Sequence, residues 1–324
     1  MTQDGGSQSG TRSGAGEGAG ERAGEGAGLR HDRTRIEPGV CERVSGLVRR
    51  LIAPNSSPFT FTGTCSYIVG TGEVAVIDSG PENADHLAAL LEATRGERIA
   101  HIFVTHTHRD HSPGARALKA ATGATIRGCE AHVEIIGHPS GRADTSHDLA
   151  HAPDAPMRDG ETFEGAGYTL EAVHTPGHAS NHLCFALKEE NALFSGDQVM
   201  AWSTSIVAPP DGSMRDYLAS LEKLLARPEE IYYPGHGAPA RDPQRYVRAL
   251  IAHRRKREGL ILARLEKSPA RVDEIVEEAY PHIDERLKRA AGLSTFAHLE
   301  ALVARGDAKS NEGAATLTST FSRA

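Results

Sequence analysis

From about residue 40 onward the chain is divided into apolar runs that predict alternating strands and helices. The run 44–52 predicts a first strand, and 66–69 and 74–78 predict two more, joined by the Gly70-Thr71-Gly72 turn. Residues 81–94 carry Leu87, Leu90 and Leu91 on one helical face, and Gly96 ends that helix. A continuous apolar stretch over 99–105 predicts a buried strand. A helix over 113–122 follows it, with Pro113 in its first turn. Further strands are expected at 168–173, 183–187, 192–194 and 231–233. Among them lies a helix over 214–226, whose apolar face is Leu218, Leu221, Leu224 and Leu225. Strands alternating with helices define an α/β class.

Past Arg241-Asp242-Pro243 the period becomes helical. A long helix is expected over 244–266. Another begins at Ser268-Pro269, with Val272, Ile275, Val276 and Ala279 on one face, and stops at Pro281. Two short helices, 284–291 and 294–304, follow. Residues 308–321, turning at Asn311-Glu312-Gly313, predict a hairpin-like wing. The chain thus divides into a tail over 1–35, a main domain over 36–243 and a small α+β domain over 244–324. The tail is built from Gly, Ala, Ser, Glu and Arg. It can bury almost nothing, so it is expected to be disordered.

Charge and cysteine usage narrow the setting. The formal net charge of −7 supplies no global field for nucleic acid. No run approaches the ~20 apolar residues that span a bilayer, so no membrane partner is expected. The N-terminus shows no apolar signal segment. Cys41, Cys65, Cys129 and Cys184 are widely spaced and contain no C-x-x-C, which favours reduced thiols and a cytoplasmic location.

The chemistry is concentrated in Thr105-His106-Thr107-His108-Arg109-Asp110-His111, directly after the strand at 99–105. Extended backbone has a side-chain period of two, so His106 and His108 point to one side while Asp110 and His111 follow on the turn. One segment can therefore serve two neighbouring cations. Downstream, His178, Asp197 and His236 each close a β-prone run, and each is reached through a glycine: Gly177, Gly196 and Gly235. Asp78, in Asp78-Ser79-Gly80, is either a supporting acceptor for a ligating histidine or a turn cap. The segment 137–156 carries His138, His147 and His151, and its composition suggests solvated loop histidines.

This set of motifs resembles the metallo-β-lactamase superfamily over roughly residues 40 to 240. The resemblance implies an αββα sandwich with metals at one edge. His106, His108 and His178 would hold one metal, Asp110, His111 and His236 the other, and Asp197 would bridge them. The helices and wing at the C-terminus resemble the winged-helix module of the β-lactamase-like ribonuclease branch. Imidazoles with carboxylates suit zinc, two Zn²⁺ per chain. In the diiron relatives a carboxylate stands where His108 stands, which also favours zinc.

Such a centre activates water near neutral pH. The expected reaction is hydrolysis of an ester-type bond (thioester, ester or phosphodiester) by a metal-bridging hydroxide, with Asp110 and Asp197 in the catalytic centre. His182 and His151 are candidate proton donors, with a supporting structural role for His182 the alternative, and Ser203-Thr204-Ser205 is either a source of hydroxyls for substrate or a polar loop. The partner is a small ester or thioester, or single-stranded RNA cut by an endoribonuclease. For RNA, the basic run at 254–257 is the candidate contact, with a solvated helix face the alternative; the expected recognition helix carries Glu300 and His298 rather than clustered Lys and Arg, so the module reads mainly as a packing element that flanks the active-site cleft. A nucleic-acid-binding regulator with a structural metal is the rival class. Seven ligands for two ions argue against it, because structural zinc sites are closed and four-coordinate.

Overall fold

The computed structural model describes residues 37–138 and 146–324. The tail over 1–35 lies outside them. The first sheet is built from β1 (Glu42–Arg43), β2 (Val48–Ile52), β3 (Cys65–Thr71), β4 (Glu73–Ile77), β5 (Arg98–Val104), β6 (Thr125–Gly128) and β7 (Ala155–Pro156), hydrogen-bonded in that order. Pairing is antiparallel from β1 to β4 and parallel from β4 to β7. Helices α1 (Ala84–Ala93) and α2 (Gly114–Thr122) are the crossovers between its parallel strands. The Asn83 side chain caps α1 by accepting the His86 N–H.

The second sheet contains β8 (Thr162–Glu164), β9 (Thr169–His174), β10 (Leu183–Leu187), β11 (Ala192–Gly196), β12 (Ile231–Pro234) and β13 (Ala240–Arg241). Helix α3 (Met214–Leu225) crosses from β11 to its parallel neighbour β12. The two sheets face each other through aromatic side chains. Phe103 meets Phe185 at 5.3 Å between ring centroids, and Tyr67 meets Phe194 at 5.2 Å. The other face of the second sheet buries Val173, Leu193 and Tyr232 against α3 and against α4 (Pro243–Lys267). The expected αββα sandwich is therefore the observed one.

The C-terminal part adds β14 (Ala270–Arg271), α5 (Val272–Ala279), α6 (Glu285–Arg305), β15 (Ala308–Ser310) and β16 (Thr320–Arg323). Its three strands pair in the order β14-β16-β15, giving a winged helix with its own core of Ile275, Phe296, Leu299, Leu302 and Phe321. Helix α4 belongs to both cores: Val247 and Leu250 pack on the sandwich, and Ile261 and Leu265 on the winged helix.

The structure corrects several expectations. The strand expected over 44–52 is β2 and begins at Val48, because residues 44–48 turn back from β1: Val44 and Ser45 N–H both donate to the Val48 carbonyl. The two short helices expected at 284–291 and 294–304 are one helix. Gly292 does not break it but lies against Val272, where an added Cβ would meet Val272 Cγ1 at 3.9 Å. His147 and His151 are buried at 1% and 3% exposure rather than solvated. Arg254 and Arg257 of the basic run are also buried, at 3% and 9%. Arg254 donates to the Ser205 carbonyl and Arg257 to the Ala279 carbonyl, so neither is free for phosphate.

Candidate metal centre

The seven residues singled out from sequence converge at one edge of the sandwich. The motif at 105–111 leaves the end of β5 and turns into α2; His178 follows β9, Asp197 follows β11 and His236 follows β12. The sheets are tied together here by a bridge between Thr64 and His236 and by the Cys65 N–H donating to the Gly235 carbonyl at 2.8 Å.

Two ligand sets are visible. His106 Nε2 and His178 Nε2 lie 3.0 and 2.9 Å from His108 Nδ1, so three imidazole nitrogens meet at one point. Asp110, His111 and His236 form the second set, with His236 Nε2 3.2 Å and His111 Nε2 3.5 Å from Asp110 Oδ2. Asp197 stands between the sets, its Oδ2 being 3.5 Å from both His178 Nε2 and His236 Nε2. Gly235 leaves room for this: a Cβ there would lie 2.4 Å from Asp197 Oδ1 and 2.7 Å from His111 Cε1.

The outward nitrogens of four of these rings are held by oxygen. His106 Nδ1 meets Thr105 Oγ1 at 2.9 Å and His111 Nδ1 meets Asp78 Oδ2 at 2.8 Å. His178 Nδ1 meets the Ile206 carbonyl at 2.5 Å and His236 Nδ1 the Gly63 carbonyl at 3.2 Å. Such acceptors fix the proton on the outer nitrogen and leave the inner lone pair for a cation. Asp78 is thus a supporting acceptor rather than a turn cap alone. Sequence reasoning had no signal for the two carbonyls, since every residue has one.

Electrostatics point the same way. Burial and neighbouring imidazoles hold His106 and His108 well below the usual histidine range. At His236 burial opposes charge, but the carboxylates of Asp197 and Asp110 outweigh it and lift the ring to about 10. The same conflict raises His111, through Asp110, Asp197 and Asp78. Asp110 and Asp197 stay far below the carboxylate range: burial raises them, and the surrounding imidazoles overcome it. His111 Nε2 and Asp197 Oδ1 are buried without a hydrogen bond. Orphaned inner atoms beside paired carboxylates fit divalent cations.

Of the two roles expected for His182, its surroundings match the supporting one rather than the proton donor. It has no exposed surface, its Nδ1 bonds Thr175 Oγ1 at 2.9 Å, and its Nε2 accepts the Asp197 backbone N–H at 3.2 Å. Both nitrogens are committed behind the centre. His151 is likewise turned inward, its Nε2 3.3 Å from the Cys129 carbonyl. Ser205 is buried, and its hydroxyl donates to the Asp197 carbonyl at 2.5 Å rather than facing substrate.

In a neighbouring group, His147 is joined by His132 and Asp211, which the sequence did not single out. His132 stacks on His147 with centroids 3.7 Å apart and planes 5° from parallel, and His147 Nε2 is 3.3 Å from Asp211 Oδ2. A cation lies near the plane of an imidazole it binds, and two parallel planes cannot both contain it. His147 instead backs His108, at 4.5 Å between centroids.

Comparison with known proteins agrees with this geometry. A model of the metallo-beta-lactamase superfamily matches residues 59–236, and one of the beta-lactamase associated winged helix domain matches residues 272–315. The chain belongs to the metallo-β-lactamase superfamily, and it is a metal-dependent hydrolase of that class. It is 31% identical over 274 residues, 81% of each chain, to an atrochrysone carboxyl ACP thioesterase of Paecilomyces divaricatus. It is 33% identical to a second thioesterase of that name from Aspergillus aculeatus, covering 69% of this chain and 66% of the relative. Among solved structures, a metallo-beta-lactamase family protein of Thermus thermophilus superposes with a TM-score of 0.70 at 24% identity, covering 87% of this chain and all of that one. A beta-lactamase domain protein of Burkholderia ambifaria superposes with a TM-score of 0.76 at 19% identity, covering 91% and 97%. These two likenesses concern the fold.

Proposed function

We propose that the chain is a dinuclear zinc hydrolase that cleaves acyl thioesters. The observation carrying the two-metal reading is Asp197 Oδ2, equidistant at 3.5 Å from a histidine of each ligand set. His106, His108 and His178 would hold one cation, Asp110, His111 and His236 the other, and Asp197 both. Five imidazoles and two carboxylates are a donor set that suits zinc. Bound cations would supply the Lewis acidity that ionises water near neutral pH and polarises a carbonyl.

The chain's own residues orient and exclude. Asp78, Thr105, Ile206 and Gly63 fix the rings through their outer nitrogens. Trp202, stacked on Phe61 at 5.0 Å, lies against Gly237 beside His236. With His182 and His151 turned inward, no histidine named from sequence as a proton donor is free for that work. That favours a leaving group needing no proton. A thiol of pKa ~8.5 departs as thiolate, whereas an alcohol oxygen departs as a far stronger base. The thioesterase names of the relatives support the same substrate class.

The geometry gives single-stranded RNA less support than a thioester. Positions 293–299 of α6 are buried, so this helix presents no open recognition face there. The test is thiol release from an acyl-pantetheine thioester by the zinc-loaded protein, beside the matched oxygen ester and a single-stranded RNA. Faster cleavage of the thioester is expected. RNA cleavage without thiol release would overturn the proposal.

A further inference from the structure

The winged-helix part reaches the metal centre through three consecutive residues. Ser205, Ile206 and Val207 lie on the segment between β11 and α3. On their inner side, the Ile206 carbonyl accepts His178 Nδ1–H at 2.5 Å, and Ser205 Oγ donates to the Asp197 carbonyl at 2.5 Å and the Gln198 carbonyl at 3.2 Å. On their outer side, the Arg254 guanidinium on α4 donates to the Ser205 carbonyl, and Ser294 Oγ on α6 donates to the Val207 carbonyl at 3.2 Å. Arg254 is 3% exposed and lies 5.2 Å from the Tyr217 ring, so its head group is fixed by packing as well as by its bond.

From this geometry we infer that Arg254 and Ser294 are positioning residues for the metal centre: the C-terminal helices hold the strap 205–207 that orients His178 and Asp197. The inference rests on His178 and Asp197 being ligands, as proposed above. A ring whose outer N–H loses its carbonyl can rotate or change tautomer, and its inner lone pair then turns away from the cation. Arg254 is suited to this because its planar fork bonds a carbonyl while its guanidinium lies over the Tyr217 ring, an arrangement lysine does not reproduce. The two donors grip carbonyls on either side of Ile206. The winged-helix part thereby serves the hydrolase site directly, with no nucleic acid required.

The test measures zinc affinity by competition with a chromophoric chelator, using full-length protein, together with the melting temperature of the metal-free form. Arg254→Lys is expected to weaken binding by up to ~10-fold, the lower end of the range for losing a direct partner of a metal ligand, because Arg254 acts one bond further out. Ser294→Ala should weaken it less, and Ser294→Thr, which keeps the hydroxyl, should restore it. If Arg254→Lys fails to fold, the Ser294 pair alone carries the test, since a lone hydroxyl on a buried helix face is a mild deletion. Weakened zinc binding with an unchanged metal-free melting temperature supports the inference. Wild-type affinity in both Ser294→Ala and folded Arg254→Lys overturns it. Should the unsubstituted protein itself take up no zinc, the ligand assignment fails first, and this inference falls with it.

Discussion

Asp78 supports the candidate metal centre through His111. Asp78 Oδ2 lies 2.8 Å from His111 Nδ1 and also accepts the Thr105 hydroxyl at 2.7 Å, while Oδ1 accepts the Thr105 N–H at 2.8 Å. One carboxylate at the end of β4 therefore fixes both the start of the ligand loop and one of its rings.

Asp78→Asn should keep the Thr105 N–H contact through the amide oxygen but present an NH₂ group to His111 and to the Thr105 hydroxyl, which loses its acceptor. The ring then accepts at Nδ1 and carries its proton on Nε2, facing the cation position. Zinc affinity is expected to drop by ~10–100-fold, measured by chelator competition. Unchanged affinity would show that His111 is not a ligand through Nε2.

Removing Asp197 tests the bridge. Asp197→Ala should abolish thioester hydrolysis and lower the zinc content of reconstituted protein, because it removes the Oδ2 that lies 3.5 Å from a histidine of each set and that the proposed function makes the bridge. Elemental analysis that still finds the wild-type content would contradict the shared role.

His182→Ala separates support from proton donation. Loss of the acceptor for the Asp197 N–H and of a ring with no exposed surface should cost about 1–3 kcal/mol of stability. The pH profile of kcat should keep its shape. Disappearance of the alkaline limb would instead make His182 the general acid.

Acid stability has a named contributor. Burial lowers His86 to about 4, with its Nε2 2.8 Å from Ser66 Oγ. Between pH 6.5 and 4 the unfolded chain binds a proton at this position that the folded chain does not, so folding stability falls as pH falls through that window. Each unit is worth about 1.4 kcal/mol, and the loss approaches about 3 kcal/mol by about pH 4. His86→Gln should flatten this part of the curve of melting temperature against pH. An unaltered slope would assign the acid sensitivity elsewhere.

What the sequence disclosed follows from where the information resides. His106, His108, Asp110, His111, His178, Asp197 and His236 were legible because metal chemistry demands particular side chains at the ends of particular strands. Asp78 was half legible, since one aspartate serves a turn or a ligand equally well. Ile206 and Gly63 were illegible because they act through carbonyls. Arg254 was misread for a related reason. A run of basic residues on a helix resembles a solvated face, and only packing distinguishes buried Arg254 from exposed Arg255, which pairs with Glu222.

The most direct measurement is zinc titration of the metal-free protein while thiol release from an acyl-pantetheine thioester is followed. The account predicts negligible release without metal and a rise that levels off at about two equivalents per chain, the number of ligand sets that Asp197 joins. Full thiol release in the presence of excess chelator, by protein that elemental analysis finds free of metal, would contradict it.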